Sequence, residues 1–151
     1  NHYFSLFAVL LLVACTQPRP PLTVKQFQLR DQSQSREDEP MVAMEKARRL
    51  HGAVSMEERR EKLGQYYTLL WNDAASGDTG TVKLVFQYQQ GASASRVKRM
   101  VKIFPASDSS GVMELAIIGD DYLKGGKVLA WKATLFRGER EISSQQSYLW
   151  Q

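Results

Sequence analysis

The sequence predicts a mainly β protein: an antiparallel sandwich of about six to seven strands, preceded by a short helical segment. Three observations lead there. From Gln65 onward, apolar residues recur at every second position in short runs, the period of a half-buried strand. Clusters of Gly, Asp, Ser and Pro separate those runs at regular intervals, which is the turn chemistry of an all-β domain. Helical periodicity is confined to Glu39 to about Leu63, ahead of the strands.

The chain has 151 residues, enough for one domain. Its hydrophobic fraction of 43% is ordinary for a globular protein, but it is unevenly spread. Phe4 to Ala14 is an apolar run of eleven residues, too short to span a bilayer as a helix and suited to the core of a secretory signal. The run ends in Leu12-Val13-Ala14-Cys15. These four residues resemble the lipobox of bacterial lipoproteins: an aliphatic residue, a small or β-branched one, a small one, then cysteine. Cys15 is the single cysteine of the chain, so an internal disulfide is excluded and a lone thiol in an exported protein asks for a role. The resemblance implies a signal peptide over residues 1–14, cleavage between Ala14 and Cys15, and a covalent lipid on Cys15. It also implies anchoring in the cell envelope, with Thr16 in place of Asp favouring the outer membrane. No basic residue precedes the apolar run; the pattern has one, and the chain is expected to begin upstream.

Residues 15–38 read as the lipidated cysteine and a flexible tether. Thr16 to Asp38 is rich in Pro, Gln, Ser and charge, so it buries too little to offset its ordering entropy. Within it, Leu22, Val24, Phe27 and Leu29 leave open an added edge strand. Residues 39–63 read as a helical lead-in. Glu39-Pro40 suits a first turn, and Met41, Met44, Ala47 and Leu50 recur at helical spacing until Gly52. Ser55-Met56-Glu57-Glu58 then has the spacing of a capping box.

Residues 64–151 read as the sandwich. Tyr66 to Trp71 is the first strand. Val82, Leu84, Phe86 and Tyr88 then alternate against Lys83 and Gln87. Val97, Val101 and Ile103 alternate against Lys98, Met100 and Lys102. Val112 to Ile118 is a short strand, and Gly119 to Gly126 is expected to be a loop. Leu129, Trp131, Ala133 and Leu135 form an inward row, Arg137-Gly138 marks a hairpin, and Ile142 to Trp150 closes the chain. The architecture resembles an immunoglobulin-like or fibronectin-like sandwich.

Catalytic chemistry finds little support. A Ser-His-Asp or Cys-His arrangement needs a histidine beside the nucleophile, and His51 on a helix is the only histidine after the apolar run. Zinc needs about four ligands that the His and Cys supply does not provide. No phosphate-cradling glycine motif occurs, and the neighbours Asp120 and Asp121 point apart. No catalytic residue, no metal and no cofactor other than the lipid on Cys15 is assigned. The net charge of +4 favours anionic surfaces in general and does not single out nucleic acid, which is not expected as a partner. The interaction surface expected from sequence comprises Arg96, Lys98, Arg99 and Lys102 on a basic strand, with Tyr148 and Trp150 at the chain end. Charge on an edge strand also protects it from aggregation. The expected role is a membrane-anchored envelope lipoprotein that contacts another protein without catalysis. A glycan-binding module is the alternative, with the aromatic side chains as a stacking face.

Overall fold

The computed structural model describes residues 18–32, 38–74, 77, 79–93 and 96–151. Leu12, Val13, Ala14 and Cys15 lie outside the described residues, as does Thr16. Among the described residues, seven antiparallel strands form two sheets. One sheet has the order β1-β2-β5: Leu22–Leu29, Gly64–Asn72 and Ser110–Ile118. The other has the order β4-β3-β6-β7: Lys98–Phe104, Val82–Gln90, Val128–Arg137 and Arg140–Gln146. Lettered A to G in chain order, the strands divide as A-B-E against a sheet built on C-F-G. The additional strand, β4, sits beside C, and the two sheets make an antiparallel β-sandwich.

The stretch read as tether supplies the first strand. Leu22–Leu29 pairs with β2 from Leu22 opposite Trp71 to Leu29 opposite Gly64. Its apolar residues change parity because it has two apolar faces. Leu22 and Val24 join the sandwich core. Phe27 lies on the opposite, outer face, paired with Tyr66. The same two-sided burial explains why β2 reads as a continuous apolar run. Tyr67, Leu69 and Trp71 fill the core, while Tyr66 and Leu70 face outward.

The core closes between the sheets around aromatic rings. Phe86 stacks on Trp131 with centroids 5.9 Å apart and planes at 19°. Tyr67 of the other sheet leans on both, at 4.8 Å from Phe86 and 6.1 Å from Trp131. Val82, Leu84, Phe86 and Tyr88 of β3 point inward as their alternation predicts. The inward row of β6 differs at one place. The register shifts between Gln89 and Gln90, and Gln90 pairs with Val128. Leu129 is therefore bulged out into solvent, and Val128 takes its place in the core.

Two expected faces are reversed. On β4, Met100 and Phe104 turn inward, and Val101 and Ile103 turn outward. Phe104 decides this by meeting Trp71 edge-on at 5.1 Å. The lead-in helix α1 (Pro40–Leu50) exposes Met41 and Met44 at 77% and 69% and buries Lys46 at 7%. Ion pairing orients it. Lys46 Nζ lies 2.9 Å from Asp38 and 3.3 Å from Asp31, Arg48 Nη2 meets Glu114 at 2.9 Å, and Arg49 lies 4.4 Å from the Tyr66 ring centre. The second helix, α2 (Met56–Glu61), begins with both bonds of the capping box at Ser55 and Glu58. A third helix, α3 (Asp120–Gly125), stands where a loop was expected between β5 and β6. Strand β7 ends at Gln146, so the last residues form a turn.

At the end of the sandwich where β1 starts, Arg137 is buried against Asp73. Its Nε and Nη2 clasp the carboxylate, with Nη2 to Oδ1 at 2.8 Å. Nη1 donates to the carbonyls of Gly80 and Ala106, both at 2.9 Å, and Nη2 also donates to Asp108 O. All five guanidinium protons are thereby placed. Removing one partner strands a buried charge. Arg137→Ala or Asp73→Ala should each lower the unfolding free energy by about 3–5 kcal/mol, whereas Arg137→Met with Asp73→Leu should recover most of the loss. Urea unfolding of the three variants checks this.

Candidate functional site

The basic strand of the sequence is β4, and its position in the sheet defines the site. It is bonded to β3 on one side and forms the edge of its sheet on the other. Its two faces have different fates. On the inward side Lys98 Nζ meets Asp121 Oδ1 at 2.5 Å and Gln90 Oε1 at 2.6 Å. Gln90 is fully buried and donates to Asp121 O and Gly126 O at 2.9 and 3.0 Å. The Tyr88 hydroxyl donates to the other Asp121 oxygen at 3.2 Å. Helix α3 is what brings Asp121 to this position. Lys102 Nζ donates to Val112 O at 3.0 Å and lies 4.9 Å from the Phe104 ring centre. Both lysines thus lay their stems along the edge and fix their charges on the molecule itself.

On the outward side the pattern is different. Arg99, Val101 and Ile103 face solvent, with Val97 just before them. Val101 is 45% exposed and Ile103 66%. Across the sheet Val101 neighbours Val85 and then Thr134; Ile103 neighbours Lys83 and then Phe136; Arg99 neighbours Gln87 and then Lys132. Lys83 Nζ sits 4.9 Å from the Phe136 ring centre. The outer face is therefore aliphatic along β4 and cationic around it.

The residues singled out in the sequence do not converge. Lys98 and Lys102 turn to one side of β4 and Arg99 to the other, so the basic group is not a single patch. Tyr148 and Trp150 follow β7, which lies at the opposite edge of the sheet. Their turn is fastened to β6: Ser147 N donates to Trp131 O, and Trp131 N to Ser147 Oγ, each at 2.9 Å. Tyr148 is 99% exposed and Trp150 half-buried. Tyr122 sits in α3, where its hydroxyl accepts from Gln28 Nε2 at 3.4 Å.

Sequence reasoning missed a groove of about 470 Å³ between α1 and the outer face of the β1-β2-β5 sheet. Phe27, Met41, Val42, Met44, Tyr66 and Leu70 line it. Its one signal was the mixed parity of β1, which requires a second apolar face. Asp73 and Arg137 were also missed, because each looks like an ordinary turn residue beside a strand end.

Among the described residues no group of three or more His, Cys, Asp or Glu is placed to hold a metal. His51 is exposed at the C-terminal end of α1. Comparison with protein-family models, curated proteins and solved structures finds no match to this chain.

Burial, with Asp121 adding to it, pushes the Tyr88 phenol from its ordinary value near 10 up to about 12. Burial raises Tyr67 as well. Below the ordinary value both phenols are protonated whether the chain is folded or not, and their contribution to stability is complete. Above it the unfolded phenols ionise first, so stability falls as the pH climbs toward the folded values. Tyr88→Phe should make the decline between about pH 9 and about pH 11.5 shallower than in the parent chain. Urea midpoints across that range give the slopes.

Proposed function

We propose that this chain is a membrane-anchored lipoprotein of the cell envelope whose sandwich works without catalysis, by contact with another protein. The observation that carries the contact reading is the β4 edge. It is an open strand on a packed domain, with Val97, Val101 and Ile103 exposed along it. Unpaired backbone on such an edge is a template for an added strand. The anchor reading rests on Leu12-Val13-Ala14-Cys15 and the apolar run before it. A single acyl chain binds a membrane reversibly, and two or more hold it stably, so a lipidated Cys15 is a sufficient attachment.

Glycan binding is the second reading, favoured by the full exposure of Tyr148. It predicts binding to envelope glycans that Tyr148→Ala abolishes.

Two experiments test the primary reading. Cys15→Ser should end incorporation of labelled lipid precursor and move the protein from the membrane to the soluble envelope fraction. Persistence of the mutant in the membrane would sink the anchor. A photocrosslinking residue at Ile103 should capture a reproducible envelope protein in intact cells, whereas one at the exposed Lys124 should not. Identical, unspecific patterns from the two sites would remove the contact role.

A further inference from the structure

We infer that β4 accepts an extended, acidic segment of another protein as an added strand. This rests on the protein-contact reading above and specifies what the partner must carry. In an antiparallel sheet, the edge strand turns the N–H and C=O groups of every second residue away from its neighbour. An incoming strand can therefore satisfy them, and its side chains lie directly opposite those of β4.

The side chains on the strand then set the partner's chemistry. Arg96 to Phe104 reads RVKRMVKIF, with Arg96, Lys98, Arg99 and Lys102 and no carboxylate. Lys98 and Lys102 are engaged within the molecule. Arg99 is exposed, and among the described residues no carboxylate lies within ion-pair distance of it. Next to it on the same face stand Val101 and Ile103. A strand that exists only to repel others needs its cations and has no use for exposed β-branched residues. The opposite edge shows the contrast. Strand β7 reads REISSQQ and shows solvent mostly serine and glutamine.

Opposite Val97, Val101 and Ile103 the partner should carry apolar residues, and opposite Arg99 an Asp or Glu. Its outward positions, taken at every second residue, read apolar, acidic, apolar, apolar along the β4 direction. A second copy of this chain is a poor occupant through β4. Pairing β4 with β4 doubles the same uncompensated positive charge in one seam.

The test uses the full chain and two designed nonapeptides. One alternates Val and Ile with Thr and carries Glu at the position facing Arg99; the other has Lys there instead. The acidic peptide should protect the β4 backbone amides from hydrogen exchange, and it should bind at least about fivefold tighter than the basic one, an advantage that shrinks in high salt. Arg99→Glu, a change on an exposed side chain, should reverse the order of the two peptides. Equal binding of both, no protection of β4, or an order unchanged by Arg99→Glu would overturn the inference. So would capture of a second copy of the chain through Ile103, or of a partner segment lacking acid. That last result leaves the contact reading standing while this one falls. Failure to crosslink in the envelope, with the peptide preference intact, counts against the envelope role and not against the chemistry of the strand.

Discussion

Two loops and a strand end meet at one guanidinium. Arg137 ends β6, Asp73 follows β2, and the carbonyls of Gly80, Ala106 and Asp108 come from the β2–β3 and β4–β5 connections. Those connections link the two sheets, so the pair holds the sandwich at the end where its strands change layers. Charge in so dry a place is tolerated because every proton of the fork has an acceptor. The opposite end is organised by a gentler version of the same logic. Gln90, Lys98 and Asp121 form a partly exposed network that ties β3, β4 and α3 together. Between these two polar ends lies the apolar slab of Phe86, Trp131 and Tyr67. Polar networks set the register at both ends, and the slab supplies the burial.

The regular strands were readable because one physical rule governs them. Val82 to Tyr88 alternates since one of its faces meets the core. The capping box at Ser55 was equally plain, because all its partners lie within three residues. What could not be read depends on distant partners. Lys46 is buried on α1 because Asp31 and Asp38 are there to receive it, and nothing in the helix itself signals that. The face of β4 is chosen by Phe104 against Trp71, a contact between residues 33 apart in sequence. Leu129 leaves the core because of a bulge in the pairing with a neighbouring strand. The site followed the same division. That a basic strand lies on an edge could be argued from composition; which of its cations remain available could be seen only once Asp121 and Val112 were in place.

The four edge strands solve one problem in different ways. β7 is short and polar, with Ser143, Ser144 and Gln145 along it. On β5, Glu114 is tied to Arg48 of the helix packed over that sheet. β1 keeps Leu22 and Leu29 fully buried. β4 alone among them combines stabilised lysines on one side with aliphatic exposure on the other. Evolutionary pressure against indiscriminate pairing and capacity for selective pairing coexist there, divided between the two faces of a single strand.

Strand β1 has a mechanical consequence. Any load arriving from residues before Pro18 enters the domain at Pro21, just ahead of a strand paired along its whole length with β2. Tension along the axis of β1 is shared by all its backbone bonds at once, whereas a sideways pull peels them in sequence, beginning where Asn72 N donates to Pro21 O. Resistance to detachment is therefore directional. The domain withstands drag that aligns it with its own first strand far better than drag that lifts that strand off the sheet.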